Sequence, residues 1–106
     1  MRVDISAKNL VLDNPLRVFI EEKMSALARF LGDAAVRVEI ARSTRHHRSG
    51  KVYYAEANIK LGRMLLRAHV DHYDLRAAIT DVKDDIQIQI KKFKGKRTAS
   101  TRKSKK

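Results

Sequence analysis

Apolar residues recur at every second position in four segments of this chain and at every third or fourth position in two others, and the order of those segments is what most limits the fold. Val3, Ile5 and Ala7 alternate with Arg2, Asp4 and Ser6, the period of a strand with one buried face. Asp13-Asn14-Pro15 then supplies a helix start. Asn14 is expected as the cap and Pro15 at the first helical position, where its fixed dihedral suits the turn and its missing N–H is not needed. Leu16, Phe19, Ile20, Met24, Leu27 and Leu31 follow at helical spacing, with Gly32 as the stop, so a helix is predicted over about 15–31.

Val36, Val38 and Ile40 form a second alternating run, and Tyr53, Ala55, Ala57, Ile59 and Leu61 a third. Between them, residues 42–51 read as a mobile basic hairpin loop holding Arg42, Arg45, Arg48, Lys51, His46 and His47. Leu61-Gly62-Arg63 makes a tight turn into a fourth run, Met64, Leu66, Ala68 and Val70. The last element is ambiguous over a short window, because Ile86-Gln87-Ile88-Gln89-Ile90 alternates like a strand. Over a longer window Leu75, Ala78, Ile79, Val82, Ile86, Ile90 and Phe93 keep the helical period, and Asp74 can cap it. A helix over about 74–94 is therefore predicted, with Ile88 off its apolar face.

The order β-α-β-β-β-α implies an α+β domain of two layers: a four-stranded sheet, its last three strands an antiparallel meander, with two helices packed on one face. The domain is expected to span 1–94. Residues 95–106, GKRTASTRKSKK, have six basic side chains, no acidic ones and almost nothing apolar, and read as a flexible basic tail.

Charge narrows the partner. The chain has 24 Lys and Arg against 12 Asp and Glu, a formal charge of +12. Removing the tail still leaves +6 on residues 1–94, so the body is basic in its own right, the electrostatic footprint of a polyanion binder. No apolar run approaches the ~18 residues a membrane span needs, and both apolar helix faces are required by the sheet, so no membrane partner is expected. Asp4 interrupts any signal-peptide core, and the absence of cysteine removes disulfides, thiolate zinc sites and cysteine nucleophiles. A cytoplasmic setting fits.

Reactive groups do not converge in the sequence. His69, Asp71 and His72 have spacing a metal site can use, but no third clustered ligand accompanies them, and a surface reading is about ten times more common. No phosphate-binding loop, dinucleotide fingerprint or nucleophile elbow is present. An enzyme, a cofactor and a small-molecule substrate are not expected. Phe19, Tyr53 and Phe93 fall on core faces, leaving Tyr54 as the candidate for base stacking. Contacts are expected to be led by phosphate, from Arg17, Lys23 and Arg29 on the first helix and Lys83, Lys91, Lys92 and Lys94 on the second. Singly, each is more often an ordinary solvated charge.

The strand RVDISAKN, the helix PLRVFIEEKMSALARFL and the stretch YDLRAAITDVKDDIQIQIKKFKGK together resemble the ribosome hibernation factors, namely the short hibernation-promoting factor and the ribosome-associated inhibitor. The likeness covers about 1–96. Its most specific parts are Leu16-Arg17, Glu21, Lys23, Leu27 and Arg29, then Asp74, Ala77-Ala78-Ile79, Asp84, Gln89 and Lys92. The resemblance implies the same topology, and a protein that binds small-subunit rRNA in the channel used by mRNA and tRNA and inhibits translation under stress or in stationary phase. It implies rRNA contacts from Lys23, Arg29, Gln89 and Lys92, with Lys83, Lys91, Lys94 and Lys96 supplying further charge. Arg76 stands where the family usually has tyrosine and Thr80 where it has aspartate. Asp85 and Ile88 replace basic residues. The chain is expected to lack the C-terminal dimerisation domain of the long factors and to be monomeric off the ribosome. Two other readings are a general double-stranded RNA-binding module and, from another class, a small metal enzyme built on His69 and His72.

Overall fold

A computed structural model describes residues 2–32, 34–43 and 52–104, with side chains as far as Lys92. Residues 44–51, the centre of the predicted basic loop with its two histidines, lie outside the described residues. The elements are β1 (Arg2–Lys8), α1 (Asn14–Ser25), α2 (Ala28–Leu31), β2 (Ala35–Arg42), β3 (Tyr53–Leu61), β4 (Met64–His72) and α3 (Leu75–Ser104). The sheet order is β1-β2-β3-β4, with β1 parallel to β2 and the other pairs antiparallel. A parallel pair needs a long crossover, which the helical segment between β1 and β2 provides. The β3–β4 hairpin closes on Gly62-Arg63, and Gly62 sits at φ 60°, the first-position conformation a type II′ turn reserves for glycine.

Two details of the first helix correct the sequence expectation. The cap is Asp13, not Asn14: Asp13 is extended, and its Oδ1 accepts the Leu16 N–H at 2.9 Å, so Asn14 is already helical. The helix is also interrupted after Ser25 and resumes at Ala28. Neither glycine nor proline marks this break. Leu27 N–H reaches the Met24 carbonyl at 2.9 Å, a tightened turn, while Leu27 and Leu31 both stay buried and keep the apolar period unbroken.

The core is one apolar layer between sheet and helices. Leu16, Ile20, Met24, Leu27 and Leu31 face Val36, Val38 and Ile40, and Ala78, Ile79, Val82, Ile86 and Ile90 of α3 lie over β3 and β4. Those strands present small residues to the helix, with Ala57 paired to Ala68, which leaves room for α3's isoleucines. The helical reading of residues 86–90 is right: Ile86 and Ile90 are fully buried and Ile88 is 52% exposed. Asp74 caps α3 through Oδ1 to the Arg76 N–H at 3.1 Å.

The predicted end of the last helix at 94 is also corrected, since α3 runs on to Ser104. Phe93, the last position of the apolar period, has its side chain outside the described residues; beyond it the sequence offers no apolar period to read, whereas lysine and arginine are good helix formers and cations suit a helix C-terminus. Residues 91–104 hold seven basic side chains and no acidic one.

Candidate nucleic-acid interface

β4 runs parallel to β1, because each of the two intervening antiparallel pairings reverses direction once. α1 follows β1 and α3 follows β4, so both long helices start from the same end of the sheet. One side of the domain is helical, and the other is an open sheet face.

The helical side carries cations without carboxylate partners. Among the described residues, none of the ion pairs involves Arg17, Lys23, Arg29, Arg76, Lys91 or Lys92. Several rest on aromatic rings instead. Lys23 Nζ lies 5.4 Å from the Phe19 ring centroid, the Arg76 guanidinium 4.9 Å from the same ring, and the Arg29 guanidinium 4.7 Å from Phe30. A ring face orients a cation without neutralising it, so these groups keep their charge for an anion. Lys91 and Lys92 are exposed at the start of the basic half of α3.

The expected site residues fare differently. Lys23 and Arg29 are placed together on α1 and α2, with Lys91 and Lys92 on α3. Lys83 is largely covered and pairs with Asp84 at 2.8 Å, so its ammonium is already engaged. Gln89 is turned toward the sheet edge. Its Nε2 donates to the Arg67 carbonyl of β4 at 2.8 Å and to Asp85 Oδ1 at 3.2 Å, which uses both of its donors inside the fold. Lys94 and Lys96 lie on α3, but their side chains are outside the described residues. Arg76 and Tyr73 are exposed and were not among the expected contacts. Arg76 was legible only as a basic residue off the apolar face, and Tyr73 carries no sequence signal that separates it from a turn residue.

On the open sheet face two cations are held by carboxylates, while Arg37 and Lys60 form none of the ion pairs of the described residues. Glu39 and Glu56 stand opposite each other across β2 and β3, a like-charge pair that would repel if left bare. Each is answered by a cation: Lys8 Nζ reaches Glu39 at 3.0 Å, and Arg67 Nε donates to Glu56 at 2.7 Å. The Tyr54 hydroxyl donates to Glu39 at 3.0 Å and its ring stacks on His69, with centroids 5.0 Å apart. The hydrogen bond from Lys8 holds the Glu39 carboxyl below the usual carboxylate range, and the same bond raises Lys8. Burial, then the bond to Glu39, pushes the Tyr54 phenol up. Tyr54, expected to be available for stacking, is thus occupied within the sheet.

His69 and His72 do not come together. Three apart on one strand, they fall on opposite faces. His69 lies 3.2 Å from Asp71, while His72 accepts the Asp74 N–H through Nδ1 at 3.0 Å. Among the described residues no group of three or more His, Cys, Asp or Glu side chains assembles into a metal-binding set.

Comparison with known proteins gives this geometry its context. The chain is 30% identical to the ribosome hibernation promotion factor of Deinococcus radiodurans over 93 residues, 85% of this chain and 47% of that protein. It is 30% identical to the factor of the same name from Staphylococcus aureus over 94 residues, 89% of this chain and 48% of that one. The chain therefore spans about half the length of the curated relatives it matches. Its fold superposes on the Protein Y N-terminal domain of Thermus thermophilus with a TM-score of 0.73 at 23% identity, covering 88% of this chain and 99% of that one. A ribosomal subunit interface protein from Coxiella burnetii superposes with a TM-score of 0.71 at 15% identity, covering 90% and 99%. The family described as sigma 54 modulation protein / S30EA ribosomal protein matches residues 3–98, nearly the whole chain, and the protein belongs to that family.

Proposed function

We propose that this chain is a ribosome hibernation factor that binds small-subunit rRNA in the channel used by mRNA and tRNA and so inhibits translation under stress or in stationary phase. The observation that carries the reading is the larger number of cations outside any ion pair on the helical layer: Arg17, Lys23, Arg29, Arg76, Lys91 and Lys92 lie there, compared with Arg37 and Lys60 on the open sheet face, where Lys8 and Arg67 are neutralised by glutamates. The relatives' name, ribosome hibernation promotion factor, supplies the partner class.

The mechanism is occlusion. The helical layer is fixed by a continuous apolar core, so its cations are presented by a preformed surface, and phosphates that meet them release their counterions without the protein having to order itself. A body so seated excludes substrate RNA by volume, and no bond is made or broken. The basic half of α3, with residues 95–106 as an extension of the domain formed by 1–94, follows the RNA away from it. Gln89 also helps hold α3 against β4 through its bond to the Arg67 carbonyl, and Lys83 adds charge to α3 beside Asp84. The protein acts in the cytoplasm as a monomer when off the ribosome, with no membrane or cofactor partner.

Sedimentation of extracts from growth-arrested cells at low salt tests the proposal. The protein is expected with small subunits or whole ribosomes, and its absence from both would refute the reading. Competition with naked duplex RNA separates it from a general duplex-binding module, because an occluding body prefers vacant subunits by a wide margin.

A further inference from the structure

The shared starting end of α1 and α3 holds an open cleft of about 520 Å³, lined by Val11, Asp13, Tyr53, Tyr73, Asp74 and Arg76 among others. Two of its walls are unusual for a protein surface. Val11 is 82% exposed and Tyr73 58% exposed, and neither is drawn into the core. Tyr73 is oriented by an edge contact with His72, its ring 5.9 Å away at 84°. Arg76 joins this apolar patch to charge: it lines the cleft, and its guanidinium is held over the Phe19 ring outside it.

The carboxylates in the cleft do not cancel that charge. Asp13 Oδ1 and Asp74 Oδ1 accept the Leu16 and Arg76 backbone N–H groups at the starts of α1 and α3, where the positive ends of the helices offset them. Neither forms an ion pair with Arg76 or Lys23. An exposed aromatic ring, Tyr73, and a guanidinium, Arg76, on the walls of one cleft match the composition of a nucleotide, which offers one planar face and one phosphate. The volume is well above that of a single base and falls within the range of ordinary ligand sites.

We propose that this cleft takes one unpaired nucleotide of an RNA, its base laid against Tyr73 and its phosphate held by Arg76. The proposal rests on the RNA-binding reading above and adds to it a subsite in which a base, and not only the phosphate backbone, is engaged. It gives a role to Arg76 and Tyr73 that the positions expected from the sequence did not include.

The test uses the full chain labelled for NMR, titrated with cytidine 5′-monophosphate and separately with inorganic phosphate. Both ligands are expected to shift Arg76, and only the nucleotide to shift Val11 and Tyr73. Tyr73→Ala should remove the nucleotide-specific shifts, and Tyr73→Phe should keep them. Identical patterns for the two ligands at millimolar concentration, or nucleotide-specific shifts that survive Tyr73→Ala, overturn the proposal. On vacant small subunits, Tyr73→Ala should weaken binding about tenfold without changing its salt dependence, whereas Arg76→Gln should reduce the salt slope by about one. If the wild-type chain binds no subunit, the functional reading fails and the nucleotide titration still decides the cleft. If it binds and both variants bind equally well, the cleft alone is refuted.

Discussion

The two faces of this small domain use similar side chains to opposite ends. On the open sheet face Lys8 and Arg67 lie within 3.0 Å of Glu39 and Glu56, Tyr54 is hydrogen-bonded and stacked, and Arg37 and Lys60 are the cations that form no ion pair there. On the helical face Lys23, Arg29 and Arg76 rest on phenylalanine rings, which fix their position and leave their charge uncompensated. A count of lysines and arginines does not separate these two populations. What distinguishes Lys8 and Arg67 from Lys23, Arg29 and Arg76 is whether a carboxylate is within reach, and that depends on strand register and helix facing.

Replacing Lys23, Arg29 and Lys92 by glutamine together should weaken binding to vacant small subunits by on the order of a hundredfold at about 50 mM salt, if each exposed contact is worth ~1 kcal/mol. Arg37→Gln with Lys60→Gln, which removes two sheet-face cations, should change it by less than about threefold. Equal losses in a binding assay would erase the distinction between the faces. Stability should respond the other way. Glu39→Ala removes the acceptor for both Lys8 and Tyr54, and urea unfolding should show a loss of about 1 kcal/mol with affinity unchanged. Gln89→Leu should likewise lower stability by roughly 1 kcal/mol by leaving the Arg67 carbonyl without its donor. If it lowers affinity while stability holds, Gln89 touches RNA directly.

The smallest effect is one of pH. Glu39 has a depressed folded pKa, so its contribution to stability is fully present above the ordinary glutamate range near ~4.3 and is lost as pH falls through the lower folded value. The wild-type protein should therefore lose stability more steeply than Glu39→Gln on acidification below about 4.3, as followed by thermal melts.

Much of the architecture was legible because both layers obey their own periods. Val36, Val38 and Ile40 mark a strand as clearly as Ile79, Val82, Ile86 and Ile90 mark a helix, and the longer window decides the Ile86–Ile90 ambiguity correctly. Breaks that leave the apolar period intact were not legible, as at Ala26-Leu27, nor was helix continuing where the sequence has no further apolar period, as after Phe93. The cap went to Asp13 and not Asn14 because both residue types suit the position and only the backbone decides. At the candidate interface, Lys23 and Arg29 could be read from the sequence. The pairing of Lys83 with its neighbour Asp84 and the inward turn of Gln89 could not, the first because it depends on side-chain conformation and the second because it depends on which flank of α3 meets the β4 edge.

The salt dependence of binding to vacant small subunits tests the central claim most directly. If about five to eight phosphates meet the helical face, affinity should fall by on the order of a thousandfold between ~50 and ~200 mM salt. The Lys23, Arg29 and Lys92 triple replacement should flatten the logarithmic slope by about three. A slope near zero in the wild type, or one that the triple replacement leaves unchanged, would contradict the account.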